Sequence, residues 1–396
     1  MKNYAIITSA YWSFMLTDGA LRMLTLLYFH DLGYSPINLA FLFLFYEFFG
    51  IVTNLFGGWL AQKFGFKATL IYGLSFQISA MLMLSFLQHN WESIIAVPFV
   101  MSAQALSGIA KDLTKMSSKT AIKFLIPENK KSTLFKWVAI LTGSKNAIKG
   151  LGFFVGGMLL QVFGFQYSLW MMAGFVFISL GISSLFLPTE MGKGKSKNKF
   201  SEIFKQNKNI KILSAARFFL FGARDIWFVV AIPIFFVSTL GWTFAQVGAF
   251  MATWVIAYGF FQSVSPSILK LRSSIAPSGR IATECSGLLF LCLTCMTVCF
   301  LLDIYVNHLI TIGLYVFGFI FAINSSVHSY LVLNYADGDK ASVNVGFYYM
   351  ANAGGRLIGT MLSGILFQLG SVSYCLVGSA IFLLFSTLIC FKLPRE

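Results

Sequence analysis

The chain consists of long apolar stretches, and this pattern restricts its fold more than any other feature. Hydrophobic residues make up 57% of the 396 residues and charged residues only 11%, which is too apolar for a soluble globular protein. A run of about 20 apolar residues is what an α-helix needs to cross a bilayer. An outer-membrane barrel would instead need short segments of alternating polarity. The sequence therefore predicts an all-α membrane protein.

We count twelve apolar segments and predict a transmembrane helix for each. The longest polar stretch, Met191–Lys211, follows the sixth segment. We therefore expect an N-terminal six-helix half (1–188), a cytoplasmic basic linker (189–208) and a C-terminal six-helix half (209–396). The predicted helices lie at about 4–31, 36–62, 67–88, 93–119, 132–163, 166–187, 209–240, 243–270, 280–302, 307–332, 342–369 and 371–392.

The net charge of +15 lies mostly in every second loop. Loops after odd-numbered segments contain no Lys or Arg, and basic residues in short loops stay in the cytoplasm. We therefore expect both termini in the cytoplasm and no nucleic-acid partner. The linker is either solvated or in contact with anionic membrane lipid. The basic residues of the even-numbered loops are Lys63, Lys67, Lys119 to Lys136, Lys193 to Lys211, Lys270, Arg272, Arg280 and Lys340.

Patterns typical of catalysis are missing from the sequence. We find no nucleophile–base pair, phosphate-binding loop or metal-ligand cluster, so we expect no enzyme, no cofactor and no metal. The six cysteines form no motif. Four of them lie on one side of a predicted helix: Cys285, Cys292, Cys295 and Cys299. We interpret them as a packing stripe, and the alternative is a site for a soft metal or a thiol.

Charged residues inside the predicted helices are the candidates for function. Lys145 lies about 20 Å along its helix, at 1.5 Å per residue, and Lys149 lies about one turn further, so both are too deep to reach the interface. Buried charge is costly unless it is neutralised, so positive charge in excess requires an anion. The positive residues that we place at mid-depth in the membrane outnumber the negative ones. The positive residues are Arg22, Lys145, Lys149, Arg224 and Arg356, and the negative residues are Asp18, Glu47 and Asp225. The sequence therefore predicts a buried basic cavity that holds an anion.

Eight residues are our candidates for binding that anion. In the eleventh segment Asn344, Tyr348, Asn352 and Arg356 form a polar stripe at i, i+4 spacing. For each basic residue, structural pairing with an acid is the alternative. Arg217 lies near enough to the predicted cytoplasmic surface to be an interfacial anchor, so we rank Arg224 above it as a candidate. The candidates are Arg22, Lys111, Lys145, Lys149, Arg224, Tyr348, Asn352 and Arg356.

Four further ionisable residues are candidates for proton coupling. They are Asp18, Glu47, Asp225 and His328, each predicted to lie within a membrane-crossing helix. A buried carboxylate is the usual proton carrier in a transporter. The alternatives are an Asp18–Arg22 pair that fixes packing and a carboxylate that neutralises one of the lysines.

The two halves of the sequence look related. A shift of 207 residues places KGLGFFVGGMLLQ (149–161) over RLIGTMLSGILFQ (356–368), so that Lys149 matches Arg356. The same shift places Asp18 on Asp225. Many secondary transporters contain such duplications, and alternating access then takes place about a site near the midplane. Lys149 and Arg356 would contact one ligand that is negative at both ends.

The loop GGWLAQKFGFK (57–67) resembles the signature loop of the major facilitator superfamily, G-x-L-a-D-r-x-G-r-r. Gln62 stands where the family has Asp, whereas four positions match: Gly58, Lys63, Gly65 and Lys67. Twelve segments, a long central loop and inside termini also fit. The resemblance implies that fold, in which helices 3, 6, 9 and 12 face lipid. The cores of these helices are almost free of charge here.

Three longer stretches are similar to the ArsJ branch of that superfamily: LTDGALRMLTLLYFHDLGYSP, SGIAKDLTKMSSKTAIK and KWVAILTGSKNAIKGLGFF. The resemblance implies an organoarsenical efflux permease of the bacterial inner membrane. In that family, glyceraldehyde-3-phosphate dehydrogenase makes 1-arseno-3-phosphoglycerate from arsenate, and the permease exports it. We therefore expect arsenate detoxification, with proton antiport as the preferred coupling and uniport or exchange as alternatives. An organophosphate/phosphate exchanger and a non-transporting receptor of the same fold are the rival functions.

Overall fold

The computed structural model describes residues 2–88, 90–125, 131–188, 206–272, 278–304, 306–336 and 341–395. Every regular element in these ranges is an α-helix, which confirms the predicted fold class. Most of the predicted linker at 189–208 lies outside them. The helices are α1 (Lys2–Asp31), α2 (Pro36–Phe41), α3 (Leu44–Phe64), α4 (Phe66–Ser85), α5 (Ser93–Leu125), α6 (Lys131–Phe186), α7 (Lys208–Phe228), α8 (Ala231–Ser238), α9 (Phe244–Arg272), α10 (Gly279–Leu301), α11 (Val306–Asn334) and α12 (Ala341–Cys390).

Nine stretches of the described residues are long and apolar enough to cross a membrane. Two of them, at 144–186 and 344–390, are 43 and 47 residues long. About 20 residues suffice for one crossing, so each of these two supplies a pair of crossings. α1 is not among the nine, although its 30 residues are also long enough to cross. With α1 included, these stretches account for the twelve predicted crossings.

The two long helices turn at positions that are related by the internal repeat. α6 is kinked at Gly164, where φ is 71°, and α12 is kinked at Ser371, where φ is 58°. These residues are 207 positions apart, the offset that the sequence suggested. Positive φ is costly for any residue with a Cβ, so Ser371 is the strained member of the pair. The internal repeat is therefore present in the backbone conformation as well as in the sequence.

The crossing that begins with α7 is broken after Phe228 because of a proline. Pro233 has no N–H, and its ring clashes with the carbonyl group four residues earlier in a helix. The Ser363 Oγ accepts hydrogen bonds from the backbone N–H groups of Val230 and Ala231, at 3.3 Å and 3.2 Å. The break is therefore stabilised by a hydroxyl group from α12.

The described residues divide into two compact units. The first consists of Met1–Tyr34, Phe45–Lys197 and Thr243–Ile256, and the second contains Ser35–Leu44, Asn198–Trp242 and Ala257–Glu396. Residues 35–44 thus belong to the second unit and residues 243–256 to the first, which the sequence did not predict.

Glycines bring α1 close to α6 in the first unit and α7 close to α12 in the second. A Cβ on Gly152 would collide with the backbone oxygen of Leu16, and a Cβ on Gly359 would collide with that of Gly222. Gly152 and Gly359 are again 207 positions apart. These close approaches position the charged residues of α1 and α7 against the basic residues of α6 and α12.

Candidate functional site

Each unit contains a buried ion pair, and the two pairs are equivalent by the repeat. In the first unit the Lys149 Nζ lies 2.5 Å from the Asp18 Oδ2. In the second the Arg356 Nε lies 3.0 Å from the Asp225 Oδ2. The partners are 131 positions apart in both cases. Both carboxylates are buried, since Asp18 is 2% exposed and Asp225 is 0% exposed. The residues that the sequence alignment matched thus make the same contact in each unit.

Tyr46 lies at the centre of the charged residues of the first unit. Its hydroxyl group donates a hydrogen bond of 2.6 Å to the Asp18 Oδ1. The Lys111 Nζ lies 4.1 Å from the centre of the Tyr46 ring, and the Arg22 guanidinium lies 5.2 Å from it. An aromatic face stabilises cations at such distances. Arg22 also forms an ion pair of 3.0 Å with Glu47, which is fully buried.

Asp112 extends this cluster along α5 and was missed in the sequence analysis. It is fully buried, and the Lys115 Nζ lies 3.0 Å from its Oδ1. The Lys111 Nζ lies 3.9 Å from its Oδ2, and Lys115 also donates to the Asn54 Oδ1 at 3.1 Å. The spacing of Asp112 and Lys115, i and i+3 on a helix, was the signal that could have revealed this pair.

In the second unit one carboxylate is shared by two arginines. The Arg224 Nη2 lies 2.5 Å from the Asp225 Oδ1, while Arg356 occupies the other oxygen. The Arg224 guanidinium also lies 4.9 Å from the Phe221 ring centre. Asp225 can balance only one of the two positive charges, so this group of three residues has a net charge of +1.

Arg217 is buried among neutral partners. It is 4% exposed and donates hydrogen bonds to the Asn352 Oδ1 at 2.9 Å and to the Ser325 Oγ at 3.1 Å. Its guanidinium lies 3.8 Å from the Phe221 ring centre and 5.2 Å from that of Tyr348. In the part of the chain that the structure describes, Arg217 has no carboxylate partner. Arg217 is therefore enclosed by the protein, whereas an arginine that anchors a helix at the membrane interface would be exposed.

The structure thus places the predicted residues in two groups, one in each unit. Tyr348 and Asn352, predicted for the anion, lie around Arg217. His328 is fully buried, with its Nε2 3.9 Å from the Cys390 Sγ. Lys145 lies one helical turn before Lys149 on α6 and is partly buried. The first group contains Asp18, Arg22, Glu47, Lys111 and Lys149, and the second contains Arg224, Asp225, Tyr348, Asn352 and Arg356.

A double-mutant cycle on Asp18 and Lys149 tests whether this buried pair acts as a unit. Asp18→Asn removes the buried carboxylate that faces the partly buried Lys149, and breaking a buried ion pair costs about 3–5 kcal/mol in other proteins. We expect Asp18→Asn to lower the melting temperature of the purified protein and Lys149→Gln to restore part of the loss. The exposed Arg280–Glu284 pair, with side chains 73% and 32% exposed, is the matched control and should show almost no coupling. Additive effects at Asp18 and Lys149 would contradict the pairing.

The comparisons with known proteins agree with this architecture. No curated protein matches the sequence. The fold is similar to that in the crystal structure of a D-xylose-proton symporter, with a TM-score of 0.73, 11% sequence identity, and coverage of 99% of this chain and 96% of that chain. The family model described as Major Facilitator Superfamily matches residues 7–360. The chain therefore belongs to the major facilitator superfamily and is a multi-pass membrane transporter rather than an enzyme.

Proposed function

We propose that this transporter exports a small organic di-anion by alternating access, and that its substrate is 1-arseno-3-phosphoglycerate. Membership of the family accounts for transport but leaves the substrate open. Two arguments support this substrate: the excess of buried positive charge, and the place in the fold of the segments that resemble ArsJ permeases.

The balance of charge in the second unit carries the proposal. Arg224 and Arg356 share Asp225, and Arg217 is buried with neutral partners. These four residues therefore have a net charge of +2. Buried charge is costly without a counter-charge, so a doubly negative ligand would stabilise the group. Planar guanidinium groups bind phosphate and arsenate oxygens through paired hydrogen bonds, which suits an ester of this type.

The segments similar to ArsJ permeases supply most of the charged residues of the first unit, with Glu47 as an exception. The stretch that begins LTDGALRM contains Asp18 and Arg22, and SGIAKDLTK contains Lys111 and Asp112. The stretch LTGSKNAIKG contains Lys145 and Lys149. The resemblance thus lies in the residues that form the ion pairs, which supports a shared substrate class more strongly than a resemblance in loops would.

The ion pairs suggest how Lys149 and Arg356 keep a counter-charge in the empty transporter. Without substrate, Asp18 neutralises Lys149 and Asp225 neutralises Arg356. An anion that binds either cation competes with the carboxylate of that pair. When the anion leaves, the carboxylate takes its place, so that neither Lys149 nor Arg356 is left without a counter-charge. In this mechanism the carboxylates act as an internal substitute for the substrate.

The same competition favours the membrane potential over proton antiport as the driving force. Protonation of Asp18 or Asp225 would release a cation and so favour anion binding. Binding of a proton would then promote binding of the substrate. In an antiporter, by contrast, binding of the proton and binding of the substrate must exclude each other. A bacterial interior is negative, and moving each negative charge out is favoured by about 2.3 kcal/mol per 100 mV. We therefore propose uniport, and proton antiport through Glu47, His328 or the aspartates becomes the alternative.

The substrate is tested by the arsenic retained in an arsenate-sensitive bacterial host. We expect the protein to lower cell arsenic only when glyceraldehyde-3-phosphate dehydrogenase is co-expressed, because that enzyme makes the ester. Lys149→Ala, Arg356→Ala and Arg217→Gln should each reduce efflux about ten-fold or more, since a hydrogen bond to a charged group contributes about 1.5–3 kcal/mol.

The matched control is Lys211→Gln, which removes an exposed positive charge from the start of α7 and should leave efflux unchanged. Immunoblots of membranes must show equal amounts of every variant. Unchanged arsenic in cells that contain both the transporter and the dehydrogenase would contradict the arsenical substrate. The rival, an organophosphate exchanger, needs phosphate or another anion on the opposite side of the membrane, so exchange in vesicles would then be measured.

The driving force is tested in vesicles that enclose the dehydrogenase, glyceraldehyde-3-phosphate, NAD and arsenate. We expect a negative potential inside, set by potassium and valinomycin, to accelerate release of arsenic without any pH gradient. Proton antiport makes a different prediction: an acidic exterior would accelerate the release of arsenic even at zero membrane potential. Vesicles with the Lys149→Ala variant provide the background rate. Acceleration by the pH gradient alone would contradict uniport.

A further inference from the structure

A groove of about 490 Å³ lies in the second unit between the start of α10 and the end of α12. Leu288, Leu291 and Phe391 form much of its wall and are 48%, 61% and 52% exposed. Arg280 and Arg395 also line it. The groove thus combines an apolar wall with two arginines, and it is separate from the ion pairs described above.

The two arginines lie at the same end of this groove because the residues that follow α12 are hydrogen-bonded to the start of α10. The backbone N–H of Gly279, which precedes Arg280, donates a hydrogen bond of 2.9 Å to the carbonyl oxygen of Pro394. Arg395 follows, and its guanidinium lies 5.8 Å from the Phe391 ring centre. Arg280 pairs with Glu284 at 3.0 Å. Among the described residues, the three charged side chains that line the mouth of the groove, Arg280, Glu284 and Arg395, have a net charge of +1.

The apolar part of the groove continues away from this mouth into the depth of the membrane. Leu291 is eleven residues after Arg280 on α10, which corresponds to about 16 Å along the helix. Gly287 leaves room between the two helices, because a Cβ there would meet only the Thr387 Cγ2, at 3.9 Å. A crevice of this kind in a membrane-crossing protein contacts acyl chains, since exposed apolar side chains at that depth have no water to contact.

We propose that this groove binds one anionic phospholipid. Its phosphate lies at Arg395 and Arg280, and one acyl chain lies along Gly287, Leu288 and Leu291. The charge at the mouth favours a headgroup with one negative charge over a zwitterionic one, and an arginine binds phosphate oxygens through paired hydrogen bonds. The loop charges predict that this end of α10 faces the cytoplasm, where basic residues near the surface attract anionic lipids.

Native mass spectrometry of the full-length protein in detergent tests the site with phosphatidylglycerol and phosphatidylcholine of identical acyl chains. We expect phosphatidylglycerol to be retained in preference to phosphatidylcholine. Arg280→Gln and Arg395→Gln should each weaken phosphatidylglycerol binding about five-fold, since a basic residue near a membrane surface contributes about 1 kcal/mol and 1.4 kcal/mol is a factor of ten. Gly287→Phe fills the groove and should abolish retention of both lipids.

Two controls separate this site from general attraction to the protein surface. The Lys208→Gln/Lys211→Gln double variant removes two exposed charges outside the groove. Gly174→Phe adds an aromatic ring to an exposed position of α6 at which a Cβ meets nothing within 4 Å. Both controls should bind phosphatidylglycerol like the wild type. Equal binding of the two lipids by the wild type, or wild-type binding by the arginine and Gly287 variants, would overturn the proposal.

Discussion

The contact between an acid on α1 or α7 and a base on α6 or α12 is the interaction on which the rest depends. Asp18–Lys149 and Asp225–Arg356 place full charges within apolar helices, where each alone would cost several kcal/mol, about 3 on insertion scales. The pairs are possible because glycines on α6 and α12 allow the helices to approach closely. Helix packing, charge balance and the proposed transport cycle all follow from these two contacts.

The two units differ in how their positively charged residues are neutralised. In the first unit Glu47 and Asp112 neutralise Arg22 and Lys115, so most cations have a partner. In the second, Asp225 serves two arginines, and Arg217 is held by hydrogen bonds to oxygens and by aromatic rings. The second unit is therefore the one whose electrostatics most need a negative ligand. A substrate with two negative groups is consistent with this requirement.

Much of the fold and part of the site could be predicted from the sequence. Apolar length gave the crossings, and the offset of 207 residues related Asp18 to Asp225 and Lys149 to Arg356. The central position of Tyr46 among these charges could not be predicted, because it depends on the orientation of the Tyr46 ring, which the sequence does not give. The burial of Arg217 could not be predicted either, because it results from α11 and α12 packing around the residue.

The most direct test is the affinity of the purified transporter for 3-phosphoglycerate, a stable anion with negative groups at both ends, measured by calorimetry. If carboxylates and substrate compete for the same cations, Asp18→Asn should bind 3-phosphoglycerate more tightly than the wild type, because the charge that competes with the ligand for Lys149 is then removed. Lys149→Ala should lose most of the affinity, and Lys211→Gln should leave it unchanged. Equal affinity in Asp18→Asn, Lys149→Ala and wild-type protein would contradict the account.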